Sequence, residues 1–412
     1  MRIALAHKFI RLTGGADVFF RESERVLREN NHETLMIATG EEADLIGVPN
    51  GLLLEAPAYD APGALAKLRS LPAAIYDREK KKIVKAALQA FQPDVLHVFA
   101  MNVHLSPSIV FAAKELGIPV VGTFNDYKHI CPNYKLFHHN HICYDCKGKK
   151  FYSAVRNRCC KGSFALSVAS MVEAYVHASM NVYDHFDHFT FSSDFLASVT
   201  TDFWPHRSIS WSKLRNPFDS RKYTAADRYD PYGLYFGRLI DEKGVDRLVA
   251  AAALVSDFSI KVIGDGPDLA GLKAQAASLG LTNVQFLGPK WGAELDEILQ
   301  HARFVVVPSI WHENFPYVIN QSFAFGRPVI GARRGGITEL VDHGTRGLIF
   351  DPDNVEELAH AMNSLACDEN LARRMGKAAK NWSDDLFRDE IAYSDIIKAY
   401  EVAIRAHNSN RR

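Results

Sequence analysis

Basic side chains set beside glycine turns are the residues of this chain best placed to do chemistry. Gly237-Arg238-Leu239 closes an apolar run, and Lys243-Gly244 follows a few residues later. An arginine fork and a lysine point charge at such a turn can neutralise a diphosphate. Gly264-Asp265-Gly266-Pro267 ends a second apolar run, where glycine permits a tight turn and close approach of a ligand to the backbone. In Pro308-Ser309-Ile310-Trp311-His312-Glu313-Asn314-Phe315-Pro316, the carboxylate of Glu313 falls between an apolar strand pattern and a helix pattern. There it can hold sugar hydroxyls or a developing positive charge. Gly335-Gly336-Ile337 leads towards Glu339 and offers backbone N–H groups to a phosphate. Each segment, taken singly, also fits a plain connection between sheet and helix, and Arg238 with Lys243 also fits a solvated basic turn.

A second cluster is built on sulfur. Five of the six cysteines fall between Cys131 and Cys160. Cys131, Cys143, Cys146 and Cys159 have the spacing Cys-x11-Cys-x2-Cys-x12-Cys, with Cys160 adjacent. Four thiolates in such an arrangement suit a tetrahedral structural zinc, and reduced thiols in an ordered loop are the alternative. Lys128, Lys135, Lys147, Lys149, Lys150, Arg156, Arg158 and Lys161 surround them, interleaved with Tyr134, Phe137, Tyr144, Phe151 and Tyr152. With the apolar helix pattern over 163–180, this basic and aromatic surface suits an anionic lipid interface. Core packing beside a solvated basic loop is the competing reading.

These residues need a scaffold that delivers them from strand ends. Apolar runs at 34–38, 94–99 and 120–124 read as strands, with a helix over 106–116 and a further strand at 188–192. Gly14-Gly15 turns the first strand into a helix patterned by Val18, Phe19, Val26 and Leu27. After Asn216-Pro217 the polar segment to Asp230 reads as a linker. Strands at 233–236, 260–263, 284–287, 304–307 and 328–330 then alternate with helices such as 245–255 and 318–325. A last helix covers 388–406. Strand–helix alternation of this kind predicts parallel sheets covered on both faces, with ligands at the strand ends.

A chain of 412 residues is long enough for two domains. Hydrophobic residues make up 47% and charged residues 23%, which is ordinary for a globular protein. Lys+Arg and Asp+Glu balance at 48 each, so there is no global field to draw in nucleic acid. The 17 histidines leave room for the net charge to rise in mild acid. No apolar run reaches the roughly 20 residues that span a bilayer, and the apolar start is too short for a signal peptide. The expectation is a cytoplasmic protein, with peripheral contact at the inner face of the membrane.

In this order, Gly14-Gly15-Ala16, Phe236-Gly237-Arg238-Leu239 with Lys243-Gly244, Gly264-Asp265-Gly266-Pro267, the Glu313 segment, and Gly326-Arg327-Pro328-Val329-Ile330 through Gly335-Gly336 resemble glycosyltransferase family 4. These are retaining group 1 enzymes of GT-B fold: α/β, two facing Rossmann-like domains with parallel sheets and a central cleft. The resemblance implies an acceptor domain over 1–217 with a cysteine-rich insertion at about 128–162. It implies a donor domain over 218–385 and a helix at 386–412 packing back on the first domain. Arg238 and Lys243 would stabilise the diphosphate leaving group, so that no metal is required for catalysis. Gly14 and Gly15 would offer amides to the phosphates, with Gly237, Gly264, Asp265 and Gly266 lining the donor site. Glu313 would touch the transferred sugar, and Asn314, Phe315 and Pro316 would help to hold the diphosphate.

Two positions depart from that pattern. The Glu-x7-Glu motif ends at Gln321, an uncharged amide where the nucleotide ribose normally meets a carboxylate. Relatives commonly carry His-Asp where this chain has Asn125-Asp126. Asn125 exchanges no proton near neutral pH, although it can orient a hydroxyl. Asp126, His97 and His104 are candidates for compensating roles. Similar cysteine-containing inserts occur in relatives that build exopolysaccharide or surface glycans, and these imply Cys159 rather than Cys160 as fourth zinc ligand. The implied donor is a UDP- or GDP-sugar, and the implied acceptor is a glycan or a lipid-linked glycan. A degenerate transferase-like binding or scaffold subunit is the alternative. Asn125 and Gln321 favour it; Arg238, Lys243 and Glu313 oppose it. A nicotinamide oxidoreductase fits poorly, because Gly14-Gly15 lacks the G-x-G-x-x-G spacing.

Overall fold

The computed structural model describes residues 1–11, 14–45, 47–56, 72–101, 104–255 and 257–410. The chain packs as two compact units. Met1–Leu136, Cys143–Pro217 and Asp389–Arg412 form the first, and Phe218–Arg388 with the short segment Phe137–Ile142 form the second.

The first unit begins β1 (Arg2–Phe9), α1 (Gly15–Glu29), β2 (Glu33–Thr39), β3 (Gly51–Leu54) and α2 (Arg78–Phe91). It continues with β4 (Val95–Val98), α3 (Ser108–Glu115) and β5 (Val120–Phe124). The insertion follows, with a small hairpin, β6 (Phe137–His138) and β7 (His141–Ile142), that groups with the second unit, a 3-10 turn (Lys147–Lys149) and one helical turn, α4 (Ser153–Arg156). Then come α5 (Phe164–Ser179), β8 (His188–Phe191), α6 (Asp194–Phe203) and β9 (Trp211–Lys213). Seven strands form one parallel sheet in the order β3-β2-β1-β4-β5-β8-β9. Alternate residues of β1 serve opposite faces: Ile3 and Leu5 join one apolar cluster, Ala4 and Ala6 the other. A sheet buried on both faces needs near-continuous apolar strands, which is what these are.

The second unit runs β10 (Tyr232–Phe236), α7 (Val245–Ala252), β11 (Ser259–Ile263), α8 (Leu269–Ser278), β12 (Val284–Gly288) and α9 (Ala293–Leu299). It ends with β13 (Phe304–Val307), α10 (Tyr317–Ala324), β14 (Val329–Ala332), α11 (Ile337–Leu340), β15 (Gly347–Phe350), α12 (Val355–Cys367) and α13 (Glu369–Leu386). Its six strands are also all parallel, in the order β12-β11-β10-β13-β14-β15. The order reverses between β10 and β13, and in open α/β sheets such a switch opens a crevice at the strand ends.

The last helix, α14 (Asp389–Asn410), belongs to the first unit. Ile396, Tyr400 and Ala403 recur at helical spacing and enter the same cluster as Ile3 and Leu5. Arg25 forks onto Asp389 at 2.8 and 3.0 Å, and Arg215 reaches Asp395 at 2.6 Å. Beneath them His97 is buried with Tyr400 Oη 2.9 Å from Nδ1 and Thr123 Oγ1 2.6 Å from Nε2.

The segment read as a linker is packed. Phe218 and Ser220 are buried, and Ser220 Oγ lies 2.7 Å from Asp384 Oδ1. Wholly buried Arg327 donates to the carbonyls of Ala226 and Arg228 on one side and of Phe325 and Ala302 on the other. Its guanidinium lies 3.7 Å from the Tyr229 ring centroid. Five N–H donors suit Arg327 to collecting main-chain carbonyls, and that is what converts a polar, proline-flanked stretch into a strap.

Several histidines do not add to the charge in mild acid. Burial holds His97 and His129 down to about 3, and His188 and His312 down to about 4, against an unfolded value of about 6.5. Between those limits the unfolded chain takes up protons that the folded chain refuses, so stability is complete above about pH 6.5 and falls as pH drops towards 4. Melting temperature at constant ionic strength is expected to decline steadily from pH 7 to pH 4.5. A level or rising profile over that range would contradict neutral burial of these rings.

Candidate functional site

The loops that follow the central strands of the second unit rest on one another through their main chains. Gly237 N donates to Ile263 O at 3.0 Å, and Leu239 N to Asp265 O at 2.9 Å. A Cβ on Gly264 would lie 1.8 Å from Gly237 O, and one on Gly266 would lie 2.1 Å from Leu239 O. Two further glycines meet the same constraint. A Cβ on Gly244 (φ 64°) would lie 2.2 Å from Pro308 O, and one on Gly335 (φ 55°) would lie 2.2 Å from Glu313 O. Gly336 N also donates to Glu313 O at 2.6 Å. The loops after β10, β11, β13 and β14 therefore meet at backbone distance, which only glycine allows.

This approach brings Lys243 to Glu313, with Nζ and Oε1 separated by 2.6 Å. Ser309 Oγ donates to the same Oε1 at 2.7 Å, and the Lys243 ammonium also lies 5.5 Å from the Trp311 ring centroid. Glu313 is buried. Burial pushes its carboxyl up, but the Lys243 charge and hydrogen bonds from Lys243 and Ser309 outweigh that, and the group is held below the usual carboxylate range. Arg238 behaves differently: it is exposed, and its guanidinium makes no hydrogen bond or ion pair among the described residues. One cation is thus committed to a carboxylate and one is open to an incoming anion.

The remaining expected residues of this unit lie around that pair. Asn314 and Pro316 are buried, and Phe315 packs its ring 5.6 Å from that of Phe387. Pro316 precedes the first residue of α10, where a missing N–H has no cost, and Gln321 sits half-buried within that helix. Gly237, Gly264, Asp265 and Gly266 line the two stacked turns, with Asp265 exposed. Ser309, Trp311 and Gly244 were not singled out as site residues by sequence. The pairing of Lys243 with Glu313 was not legible either, because nothing periodic links residues 70 apart.

In the first unit Gly14 caps α1 with extended backbone and Gly15 opens the helix; a Cβ on Gly14 would meet nothing within 4 Å. The first-turn Asp17 is buried and hydrogen-bonded at 2.8 Å to Nε2 of buried His7 on β1, a pair that sequence reading missed. Burial lowers His7 against the pull of Asp17, with Asp126 a weaker influence in the same direction as Asp17. Asn125 and Asp126 follow β5, both half-buried, and Asp126 Oδ1 accepts from Lys128 N at 2.9 Å. His97, considered for a compensating role, is committed instead to Tyr400 and Thr123. His104 packs edge-on against Phe9 at 4.6 Å.

The insertion's five thiols share one neighbourhood. Burial first, then the neighbouring sulfurs, raise Cys146, and burial raises Cys131 to about 11. The Cys159 thiol is pushed up mainly through its hydrogen bond with Cys160. Zinc–sulfur bonds of about 2.3 Å require sulfurs about 3.8 Å apart. Among the described residues, no three sulfurs of Cys131, Cys143, Cys146 and Cys159 lie within 4.8 Å of one another.

Residues 218–382 match the family described as glycosyl transferases group 1. An uncharacterised glycosyltransferase of Methanocaldococcus jannaschii is 32% identical over 170 residues, 41% of this chain, and this chain spans only 48% of that relative's length. A GDP-mannose-dependent α-mannosyltransferase of Corynebacterium glutamicum is 26% identical over 96% of this chain and 89% of its own. The crystal structure of Anabaena HepE with UDP and glucose matches at a TM-score of 0.68 and 18% identity, covering 97% of this chain and 98% of that one. That likeness establishes a shared fold.

Replacing Lys243 by Met strands the Glu313 carboxylate in its buried position. Removing one partner of a buried pair costs about 3–5 kcal/mol, and the partial exposure of Lys243 places the expected loss near the lower end. Lys243→Met/Glu313→Gln should recover most of that loss in urea denaturation. A double variant no more stable than the single one would show that the ion pair does not organise these loops.

Proposed function

Because residues 218–382 match the glycosyl transferases group 1, in a chain with two parallel-sheet units that shares the fold of known glycosyltransferases, we propose that this protein is a retaining glycosyltransferase. It moves a sugar from a nucleoside-diphosphate sugar to a glycan or lipid-linked acceptor, in the synthesis of a polysaccharide or surface glycan. The observation that carries this reading is the pairing of Lys243 with ionised Glu313, with Arg238 exposed on the same loop as Lys243 and its guanidinium making no hydrogen bond or ion pair among the described residues.

As the sugar–phosphate bond breaks, negative charge grows on the diphosphate and positive charge on the sugar. Arg238 meets the first with a bidentate fork. Lys243 has three N–H donors, so it can retain Glu313 with one and offer the others to phosphate oxygens. Glu313, held ionised, does not act as an acid; it accepts hydrogen bonds from sugar hydroxyls and favours the developing cation. Asn314, Phe315 and Pro316 place backbone at the start of α10, and Gln321 replaces a charged contact to the ribose with a neutral one. Asn125 orients rather than deprotonates, and Asp126 is the ionisable group next to it. The relatives name both GDP-mannose and UDP, so a UDP- or GDP-sugar is the proposed donor. A binding or scaffold subunit remains the second reading, carried by Asn125 and Gln321.

The donor test is direct. One UDP- or GDP-sugar should raise the melting temperature and be slowly hydrolysed by the wild type. Arg238→Ala should lower hydrolysis by about 100-fold, the scale of losing one donor to a developing anion. Stabilisation with no turnover in either protein would favour the binding subunit, and no response to any nucleotide sugar would remove the assignment.

We also assign Cys131, Cys143, Cys146 and Cys159 to a structural zinc that cross-links the insertion. Tyr134, Leu136, Lys149, Arg158 and Lys161 there all hold positive φ between 44° and 63°, a costly backbone held by turn hydrogen bonds with few strand or helix ladders, which a metal cross-link would reinforce. Protein purified without metal-affinity resin should contain close to one zinc per chain, lost in Cys143→Ser/Cys146→Ser. Clearly substoichiometric zinc in the wild type would end this assignment.

A further inference from the structure

Helices on the surface of a folded protein turn their apolar stripe inward. Helix α5 carries apolar residues on both sides: Met171, Ala174 and Ala178 pack half-buried against the core, while a second apolar arc faces outward. Its buried residues are Ser167, Glu173 and His177. Each has a partner beneath the helix or at its start: Glu173 meets Lys128 Nζ at 2.7 Å, His177 Nε2 lies 2.9 Å from Ile75 O, and Ser167 Oγ donates to Ser163 O at 2.8 Å. At 3.6 residues per turn, Phe164, Val168, Val172, Tyr175 and Val176 share one outward arc of about 120°. That arc carries no charge. Phe164 is 58% exposed, and Val172 and Tyr175 are each 39% exposed.

The insertion extends the same face. Tyr152 is 52% exposed, its N–H donates to Tyr175 Oη at 3.4 Å, and the Phe151 ring packs 5.2 Å from that of Tyr175. The unpaired charge along this stretch is positive. From Lys147 to Met180 the chain has six Lys or Arg and a single acidic residue, Glu173, which is buried against Lys128. Among the described residues, Lys149, Lys150, Arg158 and Lys161 make no ion pair, while Lys147 and Arg156 are paired with Asp202 and Asp145.

We propose that this face is a membrane-docking surface, seated on an interface rich in anionic phospholipid. An apolar arc bordered by unpaired lysines and exposed tyrosines matches an interface where acyl chains lie below acidic headgroups. The lysine stems run along the apolar layer while the ammonium groups reach the phosphates. With 16 residues α5 is shorter than the roughly 20 needed to span, so it lies in the plane of the interface. A second copy of the chain is a poorer occupant, because a two-fold contact would set the same positive border against itself. The proposal does not depend on the transfer chemistry, since none of these residues belongs to the donor site.

Flotation of the full-length protein with vesicles of phosphatidylcholine and phosphatidylglycerol in equal parts, and of phosphatidylcholine alone, tests it. The protein should float with the anionic vesicles and not with the neutral ones. Each lysine near an anionic surface is worth about fivefold in partitioning, so Lys149→Glu/Lys150→Glu should reduce binding at least about 20-fold. Phe164→Glu/Val172→Glu should abolish it, with melting temperature and nucleotide-sugar stabilisation unchanged in both variants. No flotation of the wild type, or equal flotation of the variants, would overturn the proposal. So would a dimer in light scattering that Phe164→Glu/Val172→Glu dissolves, which would give the face to a second copy.

Discussion

Four main-chain carbonyl oxygens, of Gly237, Leu239, Pro308 and Glu313, shape the loop end of the second unit. Each faces a glycine so closely that a Cβ would sit between 1.8 and 2.2 Å away. The contacts chain the loops together: after β10 onto that after β11, after β13 onto those after β10 and β14. Side chains cannot substitute for this, since their rotamers would hold the loops several ångströms apart. The Lys243–Glu313 pair is the product of that closeness, a contact across 70 residues that forms because both backbones are already in place. The electrostatic character of the site follows. A carboxylate that burial would neutralise stays ionised beside its ammonium, and the nearby guanidinium is left open.

Much of this scaffold was legible from residue types. Phe304–Val307 and Val120–Phe124 occur at the boundaries their apolar runs predict, and most other strands differ by a residue or two. The glycine turns at 237, 244, 264 and 335 marked the strand ends, and Glu313 was recognisable by its place after β13. Less could be read where tertiary packing overrides local pattern. Strands β3 and β15 went unread although they are apolar runs as short as β13. The strap at 218–230 looked like a linker because proline and charge punctuate loose and packed segments alike; Arg327 decides the matter from a hundred residues away. His97 looked like a candidate for cleft chemistry, yet Tyr400 and Thr123 occupy both its nitrogens.

Helix α5 shows the limit of hydrophobic patterning in its clearest form. Its apolar residues suit a buried stripe and an interfacial face alike, and the sequence does not decide between the two. What sets the orientation is the pull of three polar partners on the opposite side. The Lys128–Glu173 pair is largely withdrawn from solvent, with 12% and 8% of the side chains accessible. Rotating the helix to hide Val172 would expose that pair's side of the helix and break the His177 contact with Ile75. Buried polar anchors thus specify which face the helix presents, a role in which ion pairs act through specificity more than through net stability.

The two units are threaded in an unusual sequence for a chain made from its N-terminus. Residues 218–388 are enclosed between segments of the first unit, whose core is completed only by Ile396, Tyr400 and Ala403 near the end of the chain. On a ribosome, the β1–β9 sheet therefore emerges early with its α14 face bare, and His97 without one of its hydrogen-bond partners. The second unit, contiguous in sequence apart from one short hairpin, can close while that face still waits. Order of synthesis and order of completion are then reversed. Loss of the last helix through a truncated message would leave an intact second unit attached to an uncovered apolar sheet, a product suited to chaperone capture and degradation.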